Sequence, residues 1–587
     1  MRIFDLLTNM MQKFPKSDAL ASKVNGKWVT ISTQDYVNHA NWVSSGLLSL
    51  GLKKGDAIAT VSNNRYEWNF MDMGMLQIGA VHVPMYPTIS ESEYKFILND
   101  CQAKAIVVSD KDLLQKIENI KNDVPSLQYI FTFNEIDGAR NWKEIIDLGK
   151  KNNHDAEIAS LKSSITDQEL ATLIYTSGTT GVPKGVMLSH ANLMTNTIGS
   201  SPLMPPSITH ESRALSFLPL CHVYERMVGY LYHHFGVSIY YAESLEKIAD
   251  NLKELKPHLF VTVPRLLEKV YDRIMAKGAE QTGIKHTLFF WAVTLGLQYE
   301  HYGRNGWWYE MKLKLARKLI FSKWHEALGG NIKVIVSGGA PLQPRLAKVF
   351  WAANLPVLEG YGLTETSPVI AVNTLLPEGA CFGTVGKKID NVEVKLATDG
   401  EILCKGPNVM MGYYKRPDLT AEVMEDGWFK TGDIGEWVDG KYIKITDRKK
   451  ELLKTSGGKY IAPAPLENKM KESQFIEQIM VVGDNQKFAG ALIVPAFSFA
   501  KEWLEKRGVQ INSNEEMTAN KELFEAIRLD IELYNRDFSH VEQIKKFVLL
   551  PREFTIANNE MTPKLSLKRK VISEHYKNEI EKMYIGS

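Results

Sequence analysis

Near-continuous apolar, β-branched runs recur along the first two-thirds of the chain, each leading into a turn and then a helix-like pattern. GDAIATVSNN (55–64) precedes YEWNFMDMGMLQIGA (66–80), whose apolar spacing is helical, and VHVPMYP (81–87) follows. AKAIVVSD (103–110), HLFVTVP (258–264) and IKVIVSGGAP (332–341) repeat the theme. Strands apolar on both faces and alternating with helices predict parallel α/β sheets covered on both sides. In such sheets ligands bind beyond the carboxyl ends of the strands. At 587 residues the chain is too long for one core, and the length predicts three to four structural units of about 150 residues.

The texture changes twice. From about residue 380, VGKKIDNVEVKLATDGEILCKGPNVMMGYYK (385–415) has short strands and turn signals that predict a small β-barrel or distorted sheet over about 380–446. After DRKKELLKTSGGKYIAP (447–463), IEQIMVVGDNQKFAGALIVPA (476–496) predicts paired strands around a turn, and 515–546 a charged amphipathic helix. The expected organisation is a large N-terminal α/β domain, 1–448, and a smaller mobile α+β domain, 449–587.

Bulk composition narrows the partners. Seventy basic against sixty-eight acidic residues give a formal charge of +2, which does not point to nucleic acid. The four cysteines (Cys101, Cys221, Cys381, Cys404) lie far apart, with neither CxxC nor metal-ligand spacing, which suits a reducing compartment. MRIFDLLTNMMQKFPK lacks the apolar core of a signal peptide, and no run of eighteen apolar residues predicts a spanning helix. The expected location is the cytoplasm.

The stretch YTSGTTGVPKGV (175–186) is the densest chemical signal. Glycines let successive N–H groups converge on one phosphate, and hydroxyls and a lysine add donors and charge. The order Gly178, Gly181, Lys184, Gly185 fails the Walker pattern GxxxxGK followed by Ser or Thr. Pro183 disfavours helix at Val182, so no helix should begin there as it does in Walker-type NTPases. A surface loop of this composition is the plain alternative; the hydroxyl density directly after an apolar strand favours a phosphate site.

YTSGTTGVPKGV resembles the phosphate loop of the adenylate-forming (AMP-forming) ligase superfamily, which includes acyl-CoA synthetases, luciferases and peptide-synthetase adenylation domains. Further segments agree in order. LPLCHVYER (218–226) resembles the family's acyl-site segment, and VSGGAPL (336–342) and EGYGLTET (359–366) its adenine-pocket turns. WFKTGDIG (428–435) resembles its ribose segment, and ITDRKKELLKTSGGKYIAP (445–463) its hinge. The similarity runs from about 25 to 570, and HVYER, GPNVMMGYY and SGGKYIAP look most like the long-chain fatty-acyl-CoA synthetase branch.

The resemblance implies ATP, coenzyme A and a long-chain fatty acid as substrates, with Mg²⁺. It gives the phosphates to Thr176, Ser177, Gly178, Thr179, Thr180, Gly181 and Lys184, and the adenine to Gly339, Ala340, Tyr361, Gly362 and Thr364. Glu365, with Thr179 or a neighbouring hydroxyl, would hold Mg²⁺, which prefers one or two protein carboxylates plus phosphate oxygens. Asp433 would accept the ribose hydroxyls, Arg448 would contact ribose or phosphate, Lys450 would be the hinge, and His222 would shape the acyl-carboxylate pocket. Read without the family, Glu365 is a loop acid, Tyr361 and His222 are core side chains, Asp433 caps a turn and Arg448 is a surface cation.

One departure stands out. Long-chain members often resemble TPTLKLKRK near the end, where one lysine serves adenylation; MTPKLSLKRK (561–570) puts Ser566 at that place. In an extended segment residues two apart share a face about 6.6 Å apart, so Lys564 takes the role, with Lys568 as the alternative.

VPRLLEKVYDRI (263–274) resembles the lining of the fatty-acyl tunnel entrance. In GRNGWWYEMKLKLARKLIFSKW (303–324), Trp308, Met311, Leu315 and Leu319 share helical spacing, with Lys314, Arg317 and Lys318 in a basic stripe. That composition suits a helix lying on an anionic membrane, or a core helix with a solvated face, the reading that sequence favours. Three activities remain distinct in outcome. A fatty acid–CoA ligase releases pyrophosphate and AMP with a thioester, a fatty-acyl-AMP ligase passes the acyl group to a carrier-protein phosphopantetheine, and a nucleotide or lipid sensor releases nothing. No carrier or reductase domain follows residue 587, so a stand-alone ligase is expected.

Overall fold

A computed structural model describes residues 1–177, 182–456, 459–562 and 566–585. It divides into two compact units: Met1–Lys395 with Leu403–Lys430 and Asp439–Ile443, and Leu396–Ile402 with Thr431–Val438 and Lys444–Ser587.

The first unit carries two large sheets. Among the described residues one has seven strands, in the order Gly412–Tyr413, Pro183–Ser189, Leu170–Ser177, Val81–Met85, Ala57–Val61, Ala105–Val108, Tyr129–Thr132. The strand Ala57–Val61 is parallel to both neighbours, as its unbroken burial predicts. The other sheet has nine strands, and its centre, Val357–Gly362, Val334–Ser337, Leu259–Thr262, Arg213–Ser216 and Ser238–Tyr241, is likewise parallel. Leu113, Ile117 and Tyr94 bury the outer face of the seven-stranded sheet. Phe289, Leu313, Phe321 and Phe350 do the same for the nine-stranded sheet.

The length rule overcounts because these two sheets belong to one unit, joined through a buried polar network. Arg226, on the helix Val223–Phe235 that crosses over between two strands of the nine-stranded sheet, is fully buried. Its Nη2 donates to Asp72 Oδ1 at 2.5 Å, its Nε to Tyr230 Oη and its Nη1 to Thr172 Oγ1, both at 2.7 Å. Tyr230 Oη in turn donates to Asp72 Oδ2 at 2.7 Å. Asp72 lies on the helix Tyr66–Gln77, buried on nearly every side, while Thr172 and His82 lie on strands of the seven-stranded sheet. Burial alone would raise the Asp72 pKa, but the Arg226 charge and the His82 and Tyr230 hydrogen bonds outweigh it and hold the carboxyl ionised. Burial keeps His82 neutral: Nδ1–H donates to Asp72, and Nε2 accepts from Thr60, both at 2.7 Å.

The second unit has its own core. Ile476–Val482 pairs antiparallel with Ala489–Pro495, the expected hairpin, and Ile544–Leu549 adds in parallel. Leu466, Ala500, Leu523 and Ile527 cover one face of this sheet, and Ile572, Tyr576 and Met583 the other. The single helix predicted over 515–546 is instead two helices, Asn514–Thr518 and Lys521–Asn535, followed by that third strand. The paired lysines of IKKFVL mask a strand whose ends alone are buried. Short strands fill the region after 380, namely Glu393–Leu396, Glu401–Lys405, Trp428–Val438 and Tyr442–Arg448. Among the described residues no helix is long and apolar enough to cross a membrane, and all four cysteines are free.

Removing one member of a buried ion pair strands the other charge, at about 3–5 kcal/mol. Arg226→Leu is therefore predicted to lower the urea midpoint sharply, and adding Asp72→Leu to recover part of that loss. An unchanged midpoint for Arg226→Leu would refute the joining role of the network.

Candidate active site

The phosphate-loop segment is held as a hairpin. Leu170–Ser177 and Pro183–Ser189 pair antiparallel with Thr176 opposite Lys184, so Pro183 opens a strand, and helix begins only at His190. Gly178, Thr179, Thr180 and Gly181 lie outside the described residues, and of Ser177 only its strand position is described. Lys184 Nζ sits 4.5 Å from the centroid of the Tyr413 ring. Tyr413 reaches that place because Gly412–Tyr413 pairs with Val186 and Met187 on the same hairpin.

Tyr413 Oη donates to Glu365 Oε1 at 2.9 Å. Burial, then the Glu365 carboxylate, raises the phenol's pKa, which keeps it a donor. One aromatic ring therefore joins the hairpin lysine to the proposed metal carboxylate. Sequence reading gave Tyr413 no role although it lies within GPNVMMGYY; its signal is an aromatic pair two residues after Met411, which shows no periodicity.

The turn carrying Glu365 is pinned from the helix after the hairpin. Ser189 caps His190–Gly199 reciprocally with Asn192, satisfying orphan N–H groups. Asn192 Nδ2 then donates to the carbonyls of Pro407 (2.8 Å) and Val409 (2.9 Å). Asn196 Nδ2 donates to the Val369 carbonyl at 2.7 Å, and Met410 N to the Glu365 carbonyl at 2.8 Å. Buried amides on a helix look structural in sequence, so these supports were missed.

The two turns expected to hold adenine adjoin. Gly339 has φ +80, which a side chain would strain, and a Cβ on Gly362 would lie 1.9 Å from the Pro368 carbonyl oxygen. Tyr361 and Thr364 are buried, whereas Ala340 is exposed. Glu359 Oε1 accepts from Leu342 N at 3.0 Å, tying one turn to the other, and burial pushes its pKa to about 8.

His222 is the N-cap of Val223–Phe235, its Nδ1 accepting from Tyr224 N at 3.1 Å. Tyr224 Oη donates to the Val336 carbonyl at 3.1 Å, just before the Gly339 turn. Glu225 accepts from Ser216 Oγ and, 2% exposed, has its pKa pushed up to about 8 by burial.

In the second unit Arg448 Nε donates to Asp433 Oδ1 at 3.2 Å. Gly432 N donates to Glu401 Oε1 at 2.9 Å, and Lys449 Nζ donates to Glu401 Oε2 at 2.8 Å, so Glu401 fixes both segments. Asp447 is buried, with its pKa pushed to about 6, and Lys450 follows in an exposed turn. Lys564 lies outside the described residues. Among the described residues on either side of it, Met561 bridges Leu567 antiparallel, and Thr562 N donates to the Ser566 carbonyl at 2.8 Å. Ser566 is exposed, and Lys568 donates to Asn559.

The Gly339 and Glu365 turns follow the carboxyl ends of the parallel strands Val334–Ser337 and Val357–Gly362. The AMP-binding enzyme model matches residues 7–414, and the AMP-binding enzyme C-terminal domain model matches 450–587. The chain belongs to the AMP-binding enzyme family, a family of acid–thiol ligases. It is 33% identical over 565 residues to the long-chain-fatty-acid–CoA ligase FadD15 of Mycobacterium bovis, covering 96% of this chain and 93% of that one. It is 31% identical to the long-chain-fatty-acid–CoA ligase ACSBG2 of Xenopus laevis, covering 99% and 83%. In fold it is similar to the anthranilate CoA ligase AuaEII in complex with anthranoyl-AMP, with TM-score 0.74, 17% identity and coverage of 99% and 98%.

Two outcomes follow from this geometry. Tyr413→Phe keeps the ring beside Lys184 but removes a hydrogen bond to a charged group, about 1.5–3 kcal/mol; acid-dependent pyrophosphate release should fall roughly tenfold or more with the thermal midpoint little changed. Release equal to the parent's would deny Tyr413 its role. A buried carboxyl whose folded pKa is raised stabilises fully below its unfolded value, and that stability is lost as pH rises towards the folded value. Between about pH 5 and the Glu225 value of about 8, the parent should lose stability relative to Glu225→Gln, by at most roughly 1.4 kcal/mol per pH unit. Parallel pH profiles of the urea midpoint would contradict this.

Proposed function

We propose that this protein joins a long-chain fatty acid to coenzyme A through an acyl-adenylate, consuming ATP and releasing pyrophosphate and then AMP. The observation that carries the reading is the Lys184–Tyr413–Glu365 cluster at the phosphate-loop hairpin, in which one tyrosine has a cation over its ring and a carboxylate at its hydroxyl. The names of the relatives supply the acyl class. The proposed division of labour is an N-terminal domain, 1–448, that binds fatty acid and ATP, and a C-terminal domain, 449–587, that moves about Lys450.

The fatty carboxylate attacks the α-phosphorus of ATP and pyrophosphate leaves; the thiol sulfur then attacks the acyl carbon, losing its proton as AMP departs. No enzyme nucleophile is needed, so positioning and charge neutralisation supply the rate. Thr176, Ser177, Gly178, Thr179, Thr180, Gly181 and Lys184 take the β- and γ-phosphates, which leave as pyrophosphate. Gly339, Ala340, Tyr361, Gly362 and Thr364 take the adenine, Asp433 and Arg448 the ribose, and His222 shapes the acyl-carboxylate pocket. Among the described residues no cluster of three or more His, Cys, Asp or Glu could hold a metal alone. A lone Glu365 fits Mg²⁺, which needs one or two protein carboxylates and takes its other ligands from phosphates and water. Glu365 and Thr179 would hold the ion, which neutralises phosphate charge when bound.

The test is product analysis with ATP and saturated acids of graded length, with and without coenzyme A. AMP, pyrophosphate and a thioester, best with long chains, are expected; acyl-adenylate without thioester would instead identify a carrier-dependent ligase, and no ATP use would defeat the proposal. Lys564→Ala should slow adenylate formation by about a hundredfold or more and spare thioester formation from supplied acyl-adenylate. Equal effects on both half-reactions would remove Lys564 from the role.

A further inference from the structure

The segment 303–324 is the largest departure from the sequence reading. It is not one helix: Trp307–Ala316 runs into a π-turn, Arg317–Phe321, and then Ser322–Ala327. Nor is the shared apolar face its core face. Tyr309, Leu313, Ala316 and Phe321 are the buried residues, packed into the core over the nine-stranded sheet. Trp307, Trp308, Met311, Leu315 and Leu319 are 63%, 62%, 56%, 49% and 41% exposed. Spaced three and four apart, they share the side of the helix opposite its buried face. A surface helix ordinarily keeps its second face polar; this one is apolar on two.

The charges around the stripe are almost all of one sign. Residues 307–323 contain five basic side chains and one acid, Glu310. At helical spacing Lys312 lies on one flank of the stripe and Lys314 and Lys318 on the other. Among the described residues none of Lys312, Lys314, Lys318 and Lys323 has a carboxylate partner, although exposed lysines elsewhere, such as Lys441 and Lys444, do. Arg317 is not part of the stripe, because its Nε donates to the Ala352 carbonyl at 2.8 Å. The stacked Trp307–Trp308 pair, 4.2 Å between ring centroids, stands at the start of the helix.

We propose that this face docks on an anionic lipid bilayer, the helix lying in the interfacial plane with Trp307, Trp308, Met311, Leu315 and Leu319 among the upper acyl chains. Tryptophan rings favour that depth, and lysine stems can lie along apolar surface while their ammonium groups reach lipid phosphates. Each lysine near a negatively charged leaflet adds to the attraction. A second copy of the chain is a poorer occupant. A two-fold contact sets a patch against itself, which would bring the lysines of the two copies together with only Glu310 of each to offset them. The proposal does not depend on the acyl-CoA reading; if both hold, docking would present the enzyme to the phase in which long-chain acids dissolve.

The test is flotation of the full-length protein with phosphatidylcholine vesicles containing or lacking about a third phosphatidylglycerol, without ATP or acid, so that failure of the enzymatic reading cannot affect it. The parent should bind the anionic vesicles, and less so as salt rises. Trp308→Ser with Leu315→Ser should weaken binding at least tenfold, and Lys312→Glu with Lys314→Glu and Lys318→Glu likewise. All substituted side chains are exposed, and an unchanged circular dichroism melt checks the fold. No binding by the parent, or equal binding by both variants, overturns the proposal. So does a parent dimer in size-exclusion chromatography that the Trp308→Ser/Leu315→Ser variant abolishes, which would give the face to a second copy.

Discussion

The Arg226 guanidinium lies fully buried between the two sheets of the first unit, where an ion without partners would be prohibitively unstable. Its neighbours come from both sides. Asp72 provides the countercharge, Thr172 an acceptor on a central strand, and Tyr230 a hydroxyl that accepts from Arg226 while donating to Asp72. Such a network adds little stability over a well-packed apolar layer. What it adds here is geometry, because its hydrogen bonds are met in one arrangement of the Val223–Phe235 helix against the seven-stranded sheet. The N-terminus of that helix bears His222, and its first turn bears Tyr224 and Glu225, whose bonds reach the carboxyl ends of two other strands. The position of the 218–226 segment thus depends on an ion pair made one turn from the N-cap of its own helix.

The same separation between chemistry and support holds around Glu365. The residues closest to the proposed chemistry are few and sit on turns. What fixes those turns is a second set of buried amides, Asn192 and Asn196, on the helix that continues the phosphate-loop hairpin. A movement of the hairpin would reach the Glu365 turn through this helix as well as through Tyr413. Lys184 and the Glu365 turn are consequently both tied to one hairpin and the helix that continues it.

How much of this could be read in advance follows from what each signal measures. Parallel strands such as Ala57–Val61 and Val334–Ser337 were legible because burial on both faces leaves an apolar run. The proline before Lys184 correctly predicted that no helix starts there, since its effect on backbone is local. Three stretches misled. IKKFVL hid a strand behind its lysines, and nothing in the sequence signalled the antiparallel bridge between Met561 and Leu567. In 303–324 periodicity located one apolar face and missed the second, the buried one, since spacing alone does not record what a helix packs against. Arg226 and Tyr413 stood inside quoted motifs without assigned roles, because their partners are distant in sequence.

Buried titratable groups are often taken as markers of catalysis, and by that criterion Glu225 and Glu359, both pushed to about 8, would be leading candidates. Their partners argue otherwise. Glu225 accepts from Ser216 and Glu359 from Leu342 N, so each ties a strand end or turn of the nine-stranded sheet to its neighbour. Each is best read as a neutral carboxylic acid at physiological pH, able to hydrogen-bond without bringing an uncompensated charge into the interior. A reaction with no enzyme nucleophile asks for fixed donors and charges around developing negative charge, not for an acid and base matched in pKa. On that view Glu225 and Glu359 hold strand ends and turns in place, and the proposed chemistry falls to other groups.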